Sequence, residues 1–323
     1  MNSFFVRLTR QLAVTAIAFA LSPLPMLSST TAATKPQAPG YYRIRLGNFE
    51  VTVISDGTIM EPAGTLLTNT TKSFVDETLR ENFASDPYEM SDNCFLIDTG
   101  QKVILIDTGG GQLLGPTLGR LPENLKAAGY SPEQIDEIYL THLHPDHIGG
   151  LVVQGRVAFP NATLRVDQAD IDYWLSDANL ANANAQMKPL FEGARNSVKP
   201  YLAAGKLKPF SKYGELSPGI AVVAAHGHTK GHDIFVVHSK GQTLEVIGDL
   251  IHFEEVQMAH PEIAVRFDTD PQEAVTTRRR VFDDAAAHGY LIGAAHLSFP
   301  GLGHIRKSGA GYIWIPLDYS ENP

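Results

Sequence analysis

The sequence predicts an α/β protein of two mixed sheets packed face to face, with helices on the outside. Two observations carry that prediction. Strand-like and helix-like segments alternate in blocks, running β-rich, α/β, β-rich and α/β again, and two such halves bury their apolar faces best against each other. Apolar strands also end repeatedly in histidine or aspartate, and in α/β architectures such strand ends converge on one edge, where ligands bind.

The elements follow in order. Residues 42–46 and 50–54 alternate around Gly47-Asn48 and predict a hairpin. Residues 62–90 lack clean periodicity and are expected to form loop with a short helix over 72–83. Residues 94–97 and 102–106 flank Thr99-Gly100-Gln101 as a second hairpin. A glycine-rich turn, Asp107-Thr108-Gly109-Gly110-Gly111, then leads to a helix over 118–128 ended by Gly129. Residues 135–140 predict a strand, 157–159 and 163–166 a strand pair, and 168–176 and 187–204 helices. Strands are expected at 220–225, 234–237 and 244–247, the last two joined through Ser239-Lys240-Gly241. Asp270-Pro271-Gln272-Glu273 combines an N-cap, a first-turn proline and a capping-box glutamate, so a helix runs from there to His288 and stops at Gly289. Residues 290–295 are predicted as the final core strand.

Composition narrows the function. A chain of 323 residues with 43% hydrophobic content and 20 prolines suits a globular enzyme with substantial loops. The net charge of −9 argues against a nucleic-acid partner and favours a small neutral or cationic substrate over a polyanion. Arg7 and Arg10 precede an apolar stretch over 12–21 and small residues over 28–33, the pattern of a secretory signal peptide. The apolar stretch is too short to span a bilayer and is followed by Pro23 and Pro25. The expected organisation is a signal peptide over 1–33, then a single domain over 34–323, exported to the periplasm or beyond. A homodimer is compatible with the sequence. Loss of the two arginines takes the charge from −9 to −11. Cys94 is the one cysteine, so an internal disulfide is excluded, and its strand-like setting reads as buried packing.

The chemistry concentrates in Thr141-His142-Leu143-His144-Pro145-Asp146-His147, directly after the apolar run Ile138-Tyr139-Leu140. Residues two apart on a strand share a face, so His142 and His144 can grip one metal. The turn at Pro145 can carry Asp146 and His147 to a second. Downstream, Ala225-His226-Gly227-His228-Thr229-Lys230-Gly231-His232 offers further imidazoles, Gly248-Asp249 ends a strand with a carboxylate, and Ala295-His296 ends another with an imidazole. With one histidine from the second motif, seven groups are available, more than one zinc requires and suited to two with a shared carboxylate. Imidazole and carboxylate donors suit zinc first, and accept cobalt, manganese or iron.

These motifs, His-x-His-x-Asp-His, Gly-His-Thr-x-Gly-His, Gly-Asp and a late histidine, resemble the metallo-β-lactamase superfamily. Gly40-Tyr41-Tyr42-Arg43, Gly115-Pro116-Thr117-Leu118-Gly119-Arg120-Leu121, Gly248-Asp249-Leu250-Ile251 and the run from Gly293 through His296 to Gly301 resemble the methyl parathion hydrolases within it. The resemblance implies the four-layer αβ/βα metallo-β-lactamase fold. It assigns His142, His144 and His228 to one metal and Asp146, His147 and His296 to the other, with Asp249 bridging. It implies hydrolysis of neutral aryl phosphotriesters or esters by a metal-bridging hydroxide, which Asp146 or Asp249 orients. The same ligands serve N-acyl-homoserine lactonases and related arylesterases, the alternative reading. A mono-iron dioxygenase of the same fold is the more distant one, because here the second ligand set is complete.

Around the ligands, Asp56 and Asp107 are expected to touch ligand histidines from behind. His232 is expected to support the site, His226 to be structural, and His304 to be one or the other. His238, His252, His260 and His288 are expected to be exposed or locally bonded. By the resemblance, Trp174 and Phe191 line the substrate pocket and Leu114 stands at a position that shapes it; Phe267, in the loop between Asp249 and the capped helix, is expected at its mouth. The sequence departs from the phosphotriesterase pattern at Leu114, Leu66 and His252, positions that shape the pocket and not the metals.

Overall fold

The computed structural model describes residues 37–321, and the predicted signal peptide lies outside the described residues. Strand β1 (Tyr41–Leu46) turns at Gly47, whose φ of +60° suits a residue without Cβ, into β2 (Phe49–Glu61) with Leu46 opposite Phe49. Strands β3 (Tyr88–Asp98), β4 (Val103–Ile106), β5 (Glu137–Tyr139) and β6 (Thr163–Arg165) complete a six-stranded sheet in sequential order. It is antiparallel as far as β4 and parallel from β4 through β6.

The second sheet has seven strands, also in sequential order. They are β7 (Gly214–Ser217), β8 (Ile220–Ala224), β9 (Asp233–Ser239), β10 (Gln242–Val246), β11 (Leu291–Gly293), β12 (Leu302–Ser308) and β13 (Gly311–Pro316), with β10 and β11 parallel. Alternate residues of the two sheets meet in one buried cluster. Val51, Val53, Phe95, Ile97, Ile104 and Ile106 pack with Val222, Phe235, Val237, Leu244 and Val246. Each such side chain contributes about 1.5–3 kcal/mol by leaving water.

The outer faces are covered by helices. On the first sheet, α1 (Lys72–Glu81) lies to one side, capped by Thr71 accepting from Phe74 N. Leu121 and Leu125 of α2 (Leu121–Ala127) pack over Leu96, Leu105, Ile138 and Leu164. Beyond the short turn α3 (Pro145–Ile148), the same cluster takes Trp174 of α4 (Gln168–Trp174) and Phe191, Ala194 and Val198 of α5 (Lys188–Ala203). On the second sheet, Val281, Phe282 and Ala285 of α6 (Pro271–His288) cover Ile234, Ile292 and Ile305. Asp270 caps α6 through Glu273 N, and Gly289 closes it in the left-handed conformation, as the sequence predicted. The layers are therefore helix, sheet, sheet, helix, and the described residues from Pro39 onward form one compact unit.

Three expectations are corrected. The predicted strand pair over 157–166 does not form: Arg156–Val157 pairs with Val152–Val153, while Thr163–Arg165 lies parallel to β5 and buries Leu164 beside Ile138. The helix expected from 118 begins at Leu121, because the Asp56 carboxylate draws in the Gly119 and Leu121 amides and holds the preceding turn open. Residues 290–295 are not the last core strand. β12 and β13 follow, the apolar alternation of β12 interrupted in sequence by Gly303, His304, Arg306 and Lys307. Among the described residues no helix is long and apolar enough to cross a membrane.

Candidate metal centre

The carboxyl ends of β4, β5, β10 and β11 open onto one edge. After β5, Leu143 is buried in the outer core, so His142 and His144 on either side of it turn to the opposite side. The following turn, α3, carries Asp146 and His147. His228 comes from the loop between β8 and β9, Asp249 lies just past β10, and His296 just past β11. Gly248 has φ +51°, and a Cβ there would lie 2.6 Å from His232 Nε2, so only glycine lets the chain deliver Asp249 past that ring.

The side chains form two groups that share one carboxylate. His142, His144, His228 and Asp249 each offer a donor atom within 4.8 Å of the others, and so do Asp146, His147, His296 and Asp249. Asp249 Oδ2 lies 3.6 Å from His142 Nε2 and 3.2 Å from His228 Nε2, with His228 Nε2 2.9 Å from His144 Nδ1. Asp249 Oδ1 lies 2.9 Å from His147 Nε2 and 3.1 Å from His296 Nε2. Asp146 Oδ2 closes the second group, 3.8 Å from His147 and 3.5 Å from His296. Every ligand residue expected from the sequence is thus in one of the two groups.

The far side of the rings explains which atoms face inward. Asp107 has φ +60°, a conformation aspartate tolerates better than most residues, and its carboxylate takes the Thr141 amide, the Thr141 hydroxyl and His147 Nδ1, each at 2.8 Å. The same hydroxyl lies 3.1 Å from His142 Nδ1. His296 Nδ1 donates to the Ser91 carbonyl at 2.9 Å, and His228 Nδ1 to Asp268 Oδ1 at 2.7 Å. Such partners select the tautomer that leaves the inner nitrogen as a lone pair. Nε2 of His142, His147 and His296 and Oδ1 of Asp249 are buried with no hydrogen-bond partner, a costly arrangement that a bound cation relieves. The donor set fits two divalent ions.

Electrostatics agree. Burial opposes charge on Asp249, but His147, His296, His142 and His252 around it hold its carboxyl well below the usual range. Burial also opposes charge on His228, yet bonds to Asp249 and Asp268 carry it up to about 9. Burial, then the neighbouring His147, pushes His142 well down. An anion surrounded by imidazoles attracts positive charge, and cations entering here displace protons.

The supporting residues differ in part from expectation. Asp107 holds a ligand histidine, but Asp56 does not: it accepts from the Gly111, Gly119 and Leu121 amides instead. His232 spans Ala225 O and the Asp249 amide, fastening the bridging residue by its backbone. His304 donates to Tyr290 O, away from the site. His252, expected to be exposed or locally bonded, is buried with Nε2 3.0 Å from Asp249 Oδ2 and its ring stacked on His296. Asp268 and Asp170 were not anticipated. Asp170 ties the two histidine loops together, accepting from Leu143 N and Gly231 N.

A cavity of about 110 Å³ opens over the cluster, lined by Leu114, Leu190, Met90, Phe267 and His252 beside the ligands. Leu114 and Phe267 thus both border the cavity over the ligand residues. Trp174 and Phe191 do not line it: α4 turns Trp174 into the outer core, edge-on to His144, and Phe191 packs behind Trp174. A wider groove of about 500 Å³ bordered by Tyr42, His288 and Leu317 contains none of the ligand residues.

Comparisons with known proteins agree with this geometry. Residues 88–288 match the family model of the metallo-beta-lactamase superfamily. The chain is similar to the crystal structure of AbOPH, a hydrolase in the beta lactamase superfamily, with TM-score 0.84 and 36% identity over 88% of this chain and 100% of that one. It is similar to AidC, a dizinc quorum-quenching lactonase solved with the product N-hexanoyl-L-homoserine, with TM-score 0.82 and 29% identity over 87% and 99% of the two chains. An N-acyl homoserine lactonase from Bacillus sp. is 26% identical over 172 residues, 46% of this chain and 58% of the relative. The chain thus spans somewhat over half the length of the curated relatives it matches.

Proposed function

The chain belongs to the metallo-beta-lactamase superfamily, and from that premise we propose that it is a dimetal hydrolase of neutral carboxylic esters, lactones foremost, with zinc as the ion. The observation that carries the reading is Asp249, which presents one oxygen to each ligand group beneath a small, largely apolar cavity.

Two divalent ions bound there supply a nucleophile from water at neutral pH and draw electron density from the carbonyl oxygen. The protein's own residues do the rest. Asp107, Asp268 and the Ser91 carbonyl hold His147, His228 and His296 by their outer nitrogens, so the donor atoms are preorganised. Asp146, the least buried of the ligands at 18% side-chain exposure, lines the cavity and borders the substrate's approach to the ions. Leu114, Leu190 and Phe267 exclude water and grip the acyl or aryl part of the substrate.

The size of the cavity favours a planar ester over a tetrahedral phosphotriester, since His252 and Phe267 narrow it above Asp249. The lactonases among its relatives support the same choice. Its apolar wall favours a second substrate class, neutral aryl phosphotriesters of the methyl parathion type. Zinc-loaded protein assayed on aryl and N-acyl homoserine lactones, p-nitrophenyl acetate and paraoxon-type esters tests the order. We expect kcat/KM on lactones to exceed that on triesters by about tenfold or more, a barrier difference of about 1.4 kcal/mol. The reverse order overturns the lactone reading. The N-terminal pattern supports export, which N-terminal sequencing of the mature protein from the periplasm or medium tests.

A further inference from the structure

A second set of potential ligands stands apart from the two groups around Asp249. Asp167, His226 and Asp233 each offer a donor atom within 4.8 Å of the others. They come from three separate segments: Asp167 is the N-cap of α4, His226 begins the loop after β8, and Asp233 opens β9. His226 and Asp233 bracket the loop that carries His228.

Asp233 makes the set more than an acidic cluster. It is fully buried, and neither carboxylate oxygen has a hydrogen-bond partner. A buried carboxylate left this way costs several kcal/mol unless a proton or a cation compensates it. Its neighbours are otherwise engaged. Asp167 Oδ1 accepts from the Ala169 amide and Oδ2 from the Tyr213 hydroxyl at 2.7 Å, and that hydroxyl also lies 3.0 Å from His226 Nε2. Two carboxylates, an imidazole and a phenol oxygen therefore face one another. Burial, then the charges of Asp167 and Asp170, carry the Asp233 carboxyl up to about 9, so its charge is disfavoured there unless a proton or a cation compensates it. Tyr213 is exposed and His226 half-buried, so an ion can enter from solvent.

We propose that Asp167, His226 and Asp233 bind a third divalent cation, which staples both ends of the His228 loop to the start of α4. The packing there is already close: a Cβ on Gly231 would lie 2.6 Å from Asp170 N and 3.0 Å from Asp167 Cβ. Mixed oxygen and nitrogen donors select zinc or its first-row neighbours. None of the three residues lines the cavity over Asp249, so the ion's role is to hold the loop.

The test is metal content of the full chain after zinc loading and dialysis, by mass spectrometry of the metal. His226→Gln and Asp233→Asn should each hold one zinc fewer than the unsubstituted protein. Asp249→Asn should keep the His226-dependent ion, which separates this site from the dimetal reading. Thermal unfolding of the unsubstituted protein should rise with added zinc beyond the point reached by His226→Gln. If Asp233→Asn does not fold, His226→Gln, at a partly exposed position, decides alone. A zinc content in either folded variant equal to that of the unsubstituted protein overturns the proposal, whatever number the Asp249 cluster contributes.

Discussion

Asp268 Oδ1 lies 2.7 Å from His228 Nδ1, across 40 residues of sequence and wholly out of solvent. Its other oxygen accepts from the Val265 amide at 3.0 Å, so the carboxylate is itself held in place. Asp268 thereby sets the tautomer and the direction of His228, and its charge makes that ring a stronger donor toward the first ligand group. Asp268→Asn keeps the shape and the bond to Val265 but removes the charge. We expect zinc affinity at the first group to fall by about 10–100-fold, measured by competition with a chromophoric chelator. Affinity equal to that of the unsubstituted protein would show that Asp268 only packs.

Asp249 touches both groups, so its replacement has a distinct signature. Asp249→Asn retains the backbone bond from residue 249 to His232 Nε2 and should fold. It removes the one anion shared by the two groups. We expect bound metal to fall in both groups together and kcat to drop by about a thousandfold or more, equivalent to about 4 kcal/mol. His147→Ala should lower the metal content of the second group alone, with a comparable loss of turnover. Far-ultraviolet circular dichroism checks that each variant is folded, and full activity in either would refute the two-ion assignment.

The sequence revealed the centre where chemistry and local geometry coincide. His142, His144, Asp146 and His147 lie within one strand end and one turn, and Asp249 and His296 each follow a short apolar strand. Position relative to a strand was enough to place them. Asp268 carries no such signal: its partner is chosen by how the segment between β10 and α6 folds back over the site, and nothing local encodes that path. Trp174 and Phe191 illustrate the same limit. The family resemblance marked them as pocket residues, but which wall of a helix faces the cavity and which faces the core depends on packing angles absent from the pattern. In the fold, β12 escaped because glycine and charged residues break the alternation that exposes a strand.

His252 leans on the bridging residue. Its Nε2 lies 3.0 Å from Asp249 Oδ2, its ring stacks on His296, and it forms part of the cavity wall. A hydrogen bond to a charged group contributes about 1.5–3 kcal/mol. His252→Leu preserves bulk but removes that bond, so Asp249 is less well oriented for both groups. We expect kcat on carboxylic esters to fall by about tenfold with KM changed far less, because the effect acts through Asp249 and not through substrate contact. His252→Asn, which can still donate a hydrogen bond, should recover part of the loss. A rise in KM alone would place His252 in substrate binding instead.

Glu245 gives a pH-dependent stability that does not involve the metal ligands. It stands on β10 opposite Val236, 9% exposed, in a cavity with Val223, Ile234, Val281, Arg280 and Asp284. Burial first, then the charge of Asp284, raises its carboxyl from 4.5 to about 7, while Arg280 and His288 pull the other way. Between those two values the folded protein keeps a proton that the unfolded chain has released. Stability therefore falls as pH rises from about 4.5 to about 7, and above that the charged side chain opposes folding in full. Glu245→Gln removes the charge at every pH and keeps the shape. We expect its Tm to exceed that of the unsubstituted protein by about 5 °C at pH 8, a gain of about 2 kcal/mol. Near pH 4.5, where Glu245 is protonated in the folded protein, the two should melt together. A constant difference between them from pH 4.5 to pH 8, read by calorimetry on metal-loaded protein, would mean that the gain comes from packing and not from ionisation.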